Sequence, residues 1–191
     1  MSELKGSRTE KNLLMAFAGE SQASARYAFF ASAAKKEGFV QIEAAFLETA
    51  DQERVHAKRF FKHLEGGEVE ITAVFPAGVI GTTAANLKAA AEGEHHEWES
   101  MYPRFAEIAE AEGFPAIAHL FKSVAVAEKN HQNRFRGFLK NLENGTVFKK
   151  DKKVVWRCRK CGYIHEGYEA PNVCPACAHP QAHFEILAEN W

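Results

Sequence analysis

Two segments of the chain, Glu53-Arg54-Val55-His56 and Glu128-Lys129-Asn130-His131, repeat a carboxylate with an imidazole three positions on. In a helix of 3.6 residues per turn this step places both groups on one face. Each glutamate lies in an apolar stripe: Phe46, Ala50, Ala57 and Phe60 flank Glu53, and Phe121, Ala125 and Phe135 flank Glu128. A carboxylate on a core-facing stripe is very unfavourable unless something cationic meets it. Glu20, behind Leu13, Ala16 and Phe17, and Glu94, behind Leu87 and Ala90, pose the same problem, and Glu97 follows Glu94 by the same step. Two divalent ions would solve it. Carboxylates neutralise and bridge them, and imidazoles supply terminal nitrogens. A Glu from each of two helices plus Glu-x-x-His from two others is the ligand pattern of di-iron and di-manganese bundles.

The elements that must carry these residues are legible. Periodicity and caps predict helices over residues 9–36, 40–65, 83–112 and 115–143. Gly38, Gly66-Gly67, Gly113 and Asn144-Gly145 act as stops, Pro115 as a first-turn residue, and Pro103 as a kink inside the third helix. The roughly fifteen-residue loop containing Pro76 and Gly78 is long enough to cross between two antiparallel pairs. The chain also repeats itself. Residues 27–64 and 102–139 match at 15 of 38 positions, offset by 75, where about one in fifteen is expected from residue frequencies. Further upstream the offset is 74, as in Glu20/Glu94. A duplicated helix pair predicts a pseudo-two-fold four-helix bundle whose paired residues meet at the axis. Tyr27 and Tyr102 are hydrogen-bond donors to the carboxylates or plain core tyrosines. His95 and His96 flank the ligand face, and His63, His119, His165, His179 and His183 show no partner pattern.

All four cysteines fall in the last 34 residues, as Cys158-x-x-Cys161 and Cys174-x-x-Cys177. Two such knuckles surround one tetrahedral ion, zinc or iron, and suit a reducing, cytoplasmic compartment better than a disulfide framework does. So small a tail should need its metal in order to fold. A formal net charge of −1 gives no electrostatic case for nucleic acid or an anionic membrane. No apolar run is long enough to span a bilayer, and the start of the chain lacks a secretory apolar segment. The expected domains are a bundle over 1–148, a basic linker over 149–153 and a metal-binding tail over 154–191.

The whole pattern resembles the rubrerythrin family. The resemblance rests on Glu20, Glu53-x-x-His56, Glu94-x-x-Glu97 and Glu128-x-x-His131, followed by Cys-x-x-Cys-Gly-Tyr and Cys-Pro-x-Cys knuckles like those of rubredoxin. Ala178 departs from it, standing where a rubredoxin usually has glycine. The resemblance implies an all-α ferritin-like bundle with a rubredoxin-like domain, two non-haem irons in the bundle and one iron on the four cysteines. It implies reduction of hydrogen peroxide to water, with electrons from an external donor such as a rubredoxin or an NAD(P)H-linked reductase, and a homodimer. Ferroxidase or oxygen-reducing chemistry is the alternative; a zinc-ribbon binding module is a third. Hard carboxylate oxygen favours ferric iron and imidazole is relatively better for ferrous iron. The expectation is therefore that Glu97 and His56 exchange at one metal with redox state.

Overall fold

Ser7 opens the first helix by accepting a hydrogen bond from the backbone N–H of Glu10, and Gly6 completes the cap by donating to the Glu10 carboxylate. In the computed structural model, which describes residues 3–190, α1 runs Arg8–Lys36 and α2 Val40–Phe61. A long connection then crosses to α3 (Thr83–His96), a π turn (Glu97–Met101) and α4 (Tyr102–Ala111). The last rod is α5 (Pro115–Glu143). α3, the π turn and α4 form one interrupted rod, so the bundle has four rods packed as α1 on α2 and α3–α4 on α5.

The helices differ from expectation in two places. α2 stops at Phe61, ahead of the Gly66-Gly67 pair. The third rod is irregular over 97–101, just before Pro103. Proline lacks an N–H, but the irregular turn lies ahead of it, with Tyr102 N–H bonding back to Glu97 O.

The duplication is visible in three dimensions. Both hairpins turn on a glycine with φ near +85°, Gly38 and Gly113, a conformation that costs glycine little. Glu37 follows α1 and accepts from the backbone N–H of Thr83 at the start of α3. Its counterpart Glu112 follows α4 and accepts from Thr9 N–H at 2.8 Å and Thr9 Oγ1 at 2.6 Å at the start of α1. Each half therefore caps the other with a carboxylate, where the helix dipole favours it. Two aromatic clusters sandwich the bundle's centre. One holds Tyr102, Phe60 and Phe121, the other Tyr27, Phe46 and Phe135, and each draws on both halves. Burying each phenylalanine stabilises the fold by about 2–3 kcal/mol.

The tail is a three-stranded antiparallel sheet in the order β2 (Ile164–Glu169), β1 (Lys149–Cys158), β3 (Phe184–Ile186). Its small core is Trp156, Phe184, Ala170 and the buried cysteines Cys158 and Cys174. The basic segment 149–153 is the start of β1. Lys149 pairs with Glu169, and the register then shifts before Val154. Phe148 stacks on Phe39 at the first turn of α2, with ring centroids 6.2 Å apart, which ties the tail to that end of the bundle.

Candidate metal centres

α2 brings Glu53 and His56 inward, α5 brings Glu128 and His131, α1 Glu20 and α3 Glu94. All except His56 are buried. They form two groups of four in which the ligand atoms lie within 4.8 Å of one another: Glu20, Glu53, His56 and Glu128 in one, and Glu53, Glu94, Glu128 and His131 in the other. Glu53 and Glu128 belong to both. His56 Nδ1 is 3.1 Å from Glu53 Oε2 and 2.9 Å from Glu128 Oε1. His131 Nδ1 is 3.0 Å from Glu53 Oε1 and 2.7 Å from Glu128 Oε2. Each central carboxylate thus turns one oxygen to each histidine, the disposition of a bridge between two ions.

Hydrogen bonding within the protein leaves this cluster incomplete. Glu20 Oε2, Glu53 Oε1, Glu94 Oε2, both oxygens of Glu128 and His131 Nδ1 are buried without a hydrogen-bond partner. Several approach one another closely, but not in line. Burial of so many acceptors with so few donors is very unfavourable, and two dications satisfy them where hydrogens do not. The electrostatics agree. Burial, then the charges of Glu128 and Glu53, push Glu20 well above the usual carboxylate range. Burial and Glu53 do the same to Glu94. Burial alone would lower both histidines. The carboxylates of Glu128 and Glu53 beside them outweigh it, raising His56 to about 9 and His131 to about 12. The site strongly attracts positive charge.

Both tyrosines reach carboxylates across the pseudo-two-fold axis. Tyr27 Oη donates to Glu94 Oε1 and Tyr102 Oη donates to Glu20 Oε1, so each holds the oxygen that faces away from the metal groups. Gln52 escapes sequence reasoning: its Oε1 lies 3.0 Å from His131 Nε2. An N–H on that nitrogen leaves Nδ1 as the lone-pair donor aimed at the cluster. The signal available was its place beside Glu53, but which helix it would reach was not readable.

Glu97 belongs to neither group of four. It stands at the start of the π turn and is half-buried. Burial, then Glu94 and Glu128, push its carboxyl well above the usual range, and the Arg26 guanidinium opposes them. Its position explains the change of offset. Glu20/Glu94 are 74 apart and Tyr27/Tyr102 are 75 apart, so the second half has one additional residue between Glu94 and Tyr102. The π turn absorbs it, with Tyr102 N–H bonding back to Glu97 O. By the upstream offset Glu97 corresponds to Ala23, so the symmetric half has no equivalent acid.

In the tail, Cys158 and Cys177 sulfurs are 3.8 Å apart and Cys161 and Cys174 sulfurs 3.7 Å apart. Metal–sulfur bonds of about 2.3 Å in a tetrahedron predict edges of roughly 3.8 Å, whereas a disulfide would be near 2.05 Å. The two knuckles fold alike: Gly162 N–H bonds Cys158 O, and Ala178 N–H bonds Cys174 O. Gly162 has φ +80° and Ala178 φ +57°. His95, exposed and packed edge-on against Trp98, contributes to neither centre. Among the described residues no helix is long and apolar enough to cross a membrane.

Comparison with known proteins places these features together. Residues 11–139 match the rubrerythrin family model, and residues 156–185 match the model for the rubrerythrin rubredoxin-like domain. A rubrerythrin from Nitratidesulfovibrio vulgaris is 62% identical over 191 residues, the full length of both chains. One from Porphyromonas gingivalis is 58% identical, covering 98% of this chain and 94% of its own. A solved structure of nigerythrin in a mixed-valence state superposes with a TM-score of 0.63 at 30% identity, covering 97% of this chain and 92% of that one. Symerythrin from Cyanophora paradoxa shares the bundle fold, with a TM-score of 0.64 at 24% identity over 75% of this chain and 89% of that one.

Proposed function

Because the chain belongs to the rubrerythrin family, with a di-iron site in its bundle and an Fe(Cys)4 site in its rubredoxin-like tail, we propose that it is a peroxidase that reduces hydrogen peroxide to water. The observation that carries this reading is the pair of metal groups sharing Glu53 and Glu128, joined in one chain to a four-cysteine site. Bound there, two irons would supply the two electrons needed to cleave the O–O bond. With two protons, one peroxide then gives two waters. Glu53 and Glu128, common to both groups, would hold both irons, Glu20 and Glu94 would hold one each with Tyr102 and Tyr27 orienting them, and His56 and His131 would supply nitrogens. Gln52 orients His131. Glu97, a carboxyl outside both groups of four, or solvent would supply the protons.

Glu97 lies outside the groups while His56 turns inward. This supports the exchange of His56 for Glu97 on oxidation. Crystal structures of oxidised and reduced protein with identical ligands would refute it.

The four cysteines would hold an iron that passes electrons one at a time from an external donor, a rubredoxin or an NAD(P)H-linked reductase, in the reducing cytoplasm. The tail is tied to Phe39, fourteen residues along α2 from Glu53. At about 1.5 Å per residue that is roughly 21 Å. Such a separation favours a homodimer in which one subunit's tail serves its partner's bundle.

Stopped-flow re-oxidation of the reduced holoprotein tests the activity. Peroxide should act at least about tenfold faster than oxygen, a barrier lower by ~1.4 kcal/mol. Faster re-oxidation by oxygen would replace the peroxidase with an oxidase or ferroxidase.

A further inference from the structure

The connection between α2 and α3 roofs a chamber of about 330 Å³ over α1 and the third rod. Glu97 is the one carboxylate that lines it among the described residues. At roughly 30 Å³ per water the chamber holds about ten waters, several times what hydrogen peroxide occupies. Its walls near Glu97 are mainly apolar, with Met15, Phe75, Met101 and Phe105. Two polar side chains one helical turn apart on α1 break that surface. Gln22 Oε1 and Arg26 Nε are both buried without a hydrogen-bond partner. One is an acceptor and the other a donor, and the fold itself satisfies neither. Gly19 and Gly93, equivalent in the duplication, form opposite walls. A Cβ at Gly19 would meet Phe75 only at 3.8 Å, and one at Gly93 would meet the Arg26 guanidinium at 4.0 Å. Space is kept there without steric need. Outward, the chamber joins a wider, mostly apolar cleft of about 1110 Å³ that shares Gln22, Arg26 and Phe75.

We propose that this chamber binds hydroperoxides with a compact apolar substituent, so that the enzyme accepts alkyl hydroperoxides as well as hydrogen peroxide. The inference rests on the peroxidase reading and names a further substrate class for it. The hydroperoxide O–H donates to Gln22 Oε1, Arg26 Nε–H donates to a peroxide oxygen, and the substituent lies against Met15, Phe75 and Met101. Glu97 lines the same chamber, beside Arg26. The O–O bond breaks with two electrons from the same external donor. One proton goes to each oxygen, giving the alcohol ROH and water.

The test compares re-oxidation of reduced full-length holoprotein by hydrogen peroxide and by cumene hydroperoxide. Wild type should respond to both. Gly19→Leu and Gly93→Leu, which fill the chamber from opposite walls, should slow the alkyl reaction at least about tenfold and the hydrogen peroxide reaction far less. Saturation-transfer NMR should show cumyl alcohol, the product, contacting the oxidised wild type but neither variant. Activity with hydrogen peroxide and none with cumene hydroperoxide overturns this inference alone, as does an unchanged rate ratio in both variants. No response to hydrogen peroxide overturns the peroxidase reading and this inference with it.

Discussion

His56 and His131 occupy equivalent places in the two halves of the bundle, yet their surroundings differ. His131 is held by Gln52, one residue before Glu53. The equivalent residue before Glu128 is Ala127, which offers His56 nothing. His131 has 4% of its side chain exposed and His56 15%. On the first half's own helix, Ala23 stands where the second half has Glu97. The duplication thus supplies a symmetric charge trap with three departures from it (Gln52, the π turn and Glu97), and His131 has a side-chain anchor that His56 lacks. Symmetry accounts for the pairing of the carboxylates and histidines; its loss at these positions is what the proposed exchange of His56 for Glu97 would use.

The comparison can be broken at its centre or sharpened at its edges. The largest effect should come from the shared carboxylates. Glu53→Ala and Glu128→Ala should each lose both bundle irons, while His95→Ala keeps them. Equal iron content by colorimetric assay in all three would contradict the bridging assignment. Next comes the anchor. Gln52→Leu should weaken ferrous binding at the His131 half by about 10–100-fold. Ala127→Gln should leave affinity intact and make His56 harder to release. Ferrous titrations showing no difference between Gln52→Leu and wild type would remove Gln52 from the site.

The tail makes a smaller comparison, between its two knuckles. Ala178 adopts the left-handed conformation that Gly162 adopts without strain. Ala178→Gly should stabilise the metal-loaded tail by about 1 kcal/mol, read from chelator-driven loss of its iron. A destabilised variant would mean that the alanine methyl packs favourably.

The smallest effect concerns the reciprocal caps. Burial would raise Glu112, but hydrogen bonds from the Thr9 side chain and backbone and from Arg8 N–H outweigh it and hold the carboxyl below the usual range. A depressed carboxylate stabilises the fold above its unfolded value, near 4.5, and that contribution is lost as pH falls through the native value. Because Glu112 is partly exposed, the effect should be about 0.5 kcal/mol. Glu112→Gln should therefore flatten the acid limb of urea denaturation slightly. An unchanged limb would show that the cap survives protonation.

Most of the ligand set was legible because its signals are local. A carboxylate centred on an apolar stripe, repeated at a constant offset, can be recognised without knowing what packs against it. The same holds for the two Cys-x-x-Cys knuckles and for the helix pairs that turn at Gly38 and Gly113. The 74-to-75 jump was present in the sequence, but a single added residue could have been a loop, a bulge or a kink at Pro103. Backbone hydrogen bonding placed it in a π turn at Glu97.

What the sequence determined by itself, then, was the residue types, the period that puts them on one face of each helix, and the duplication that pairs them. The tertiary structure decided which helix each side chain reaches. Gln52 meets His131, Tyr27 meets Glu94 rather than its own helix's Glu20, Glu112 caps α1, and a roofed chamber forms beside Glu97. The physical reason is range. Periodicity and capping act within a few residues, whereas these contacts join positions 67 to 103 residues apart, where only packing sets who is within hydrogen-bonding distance.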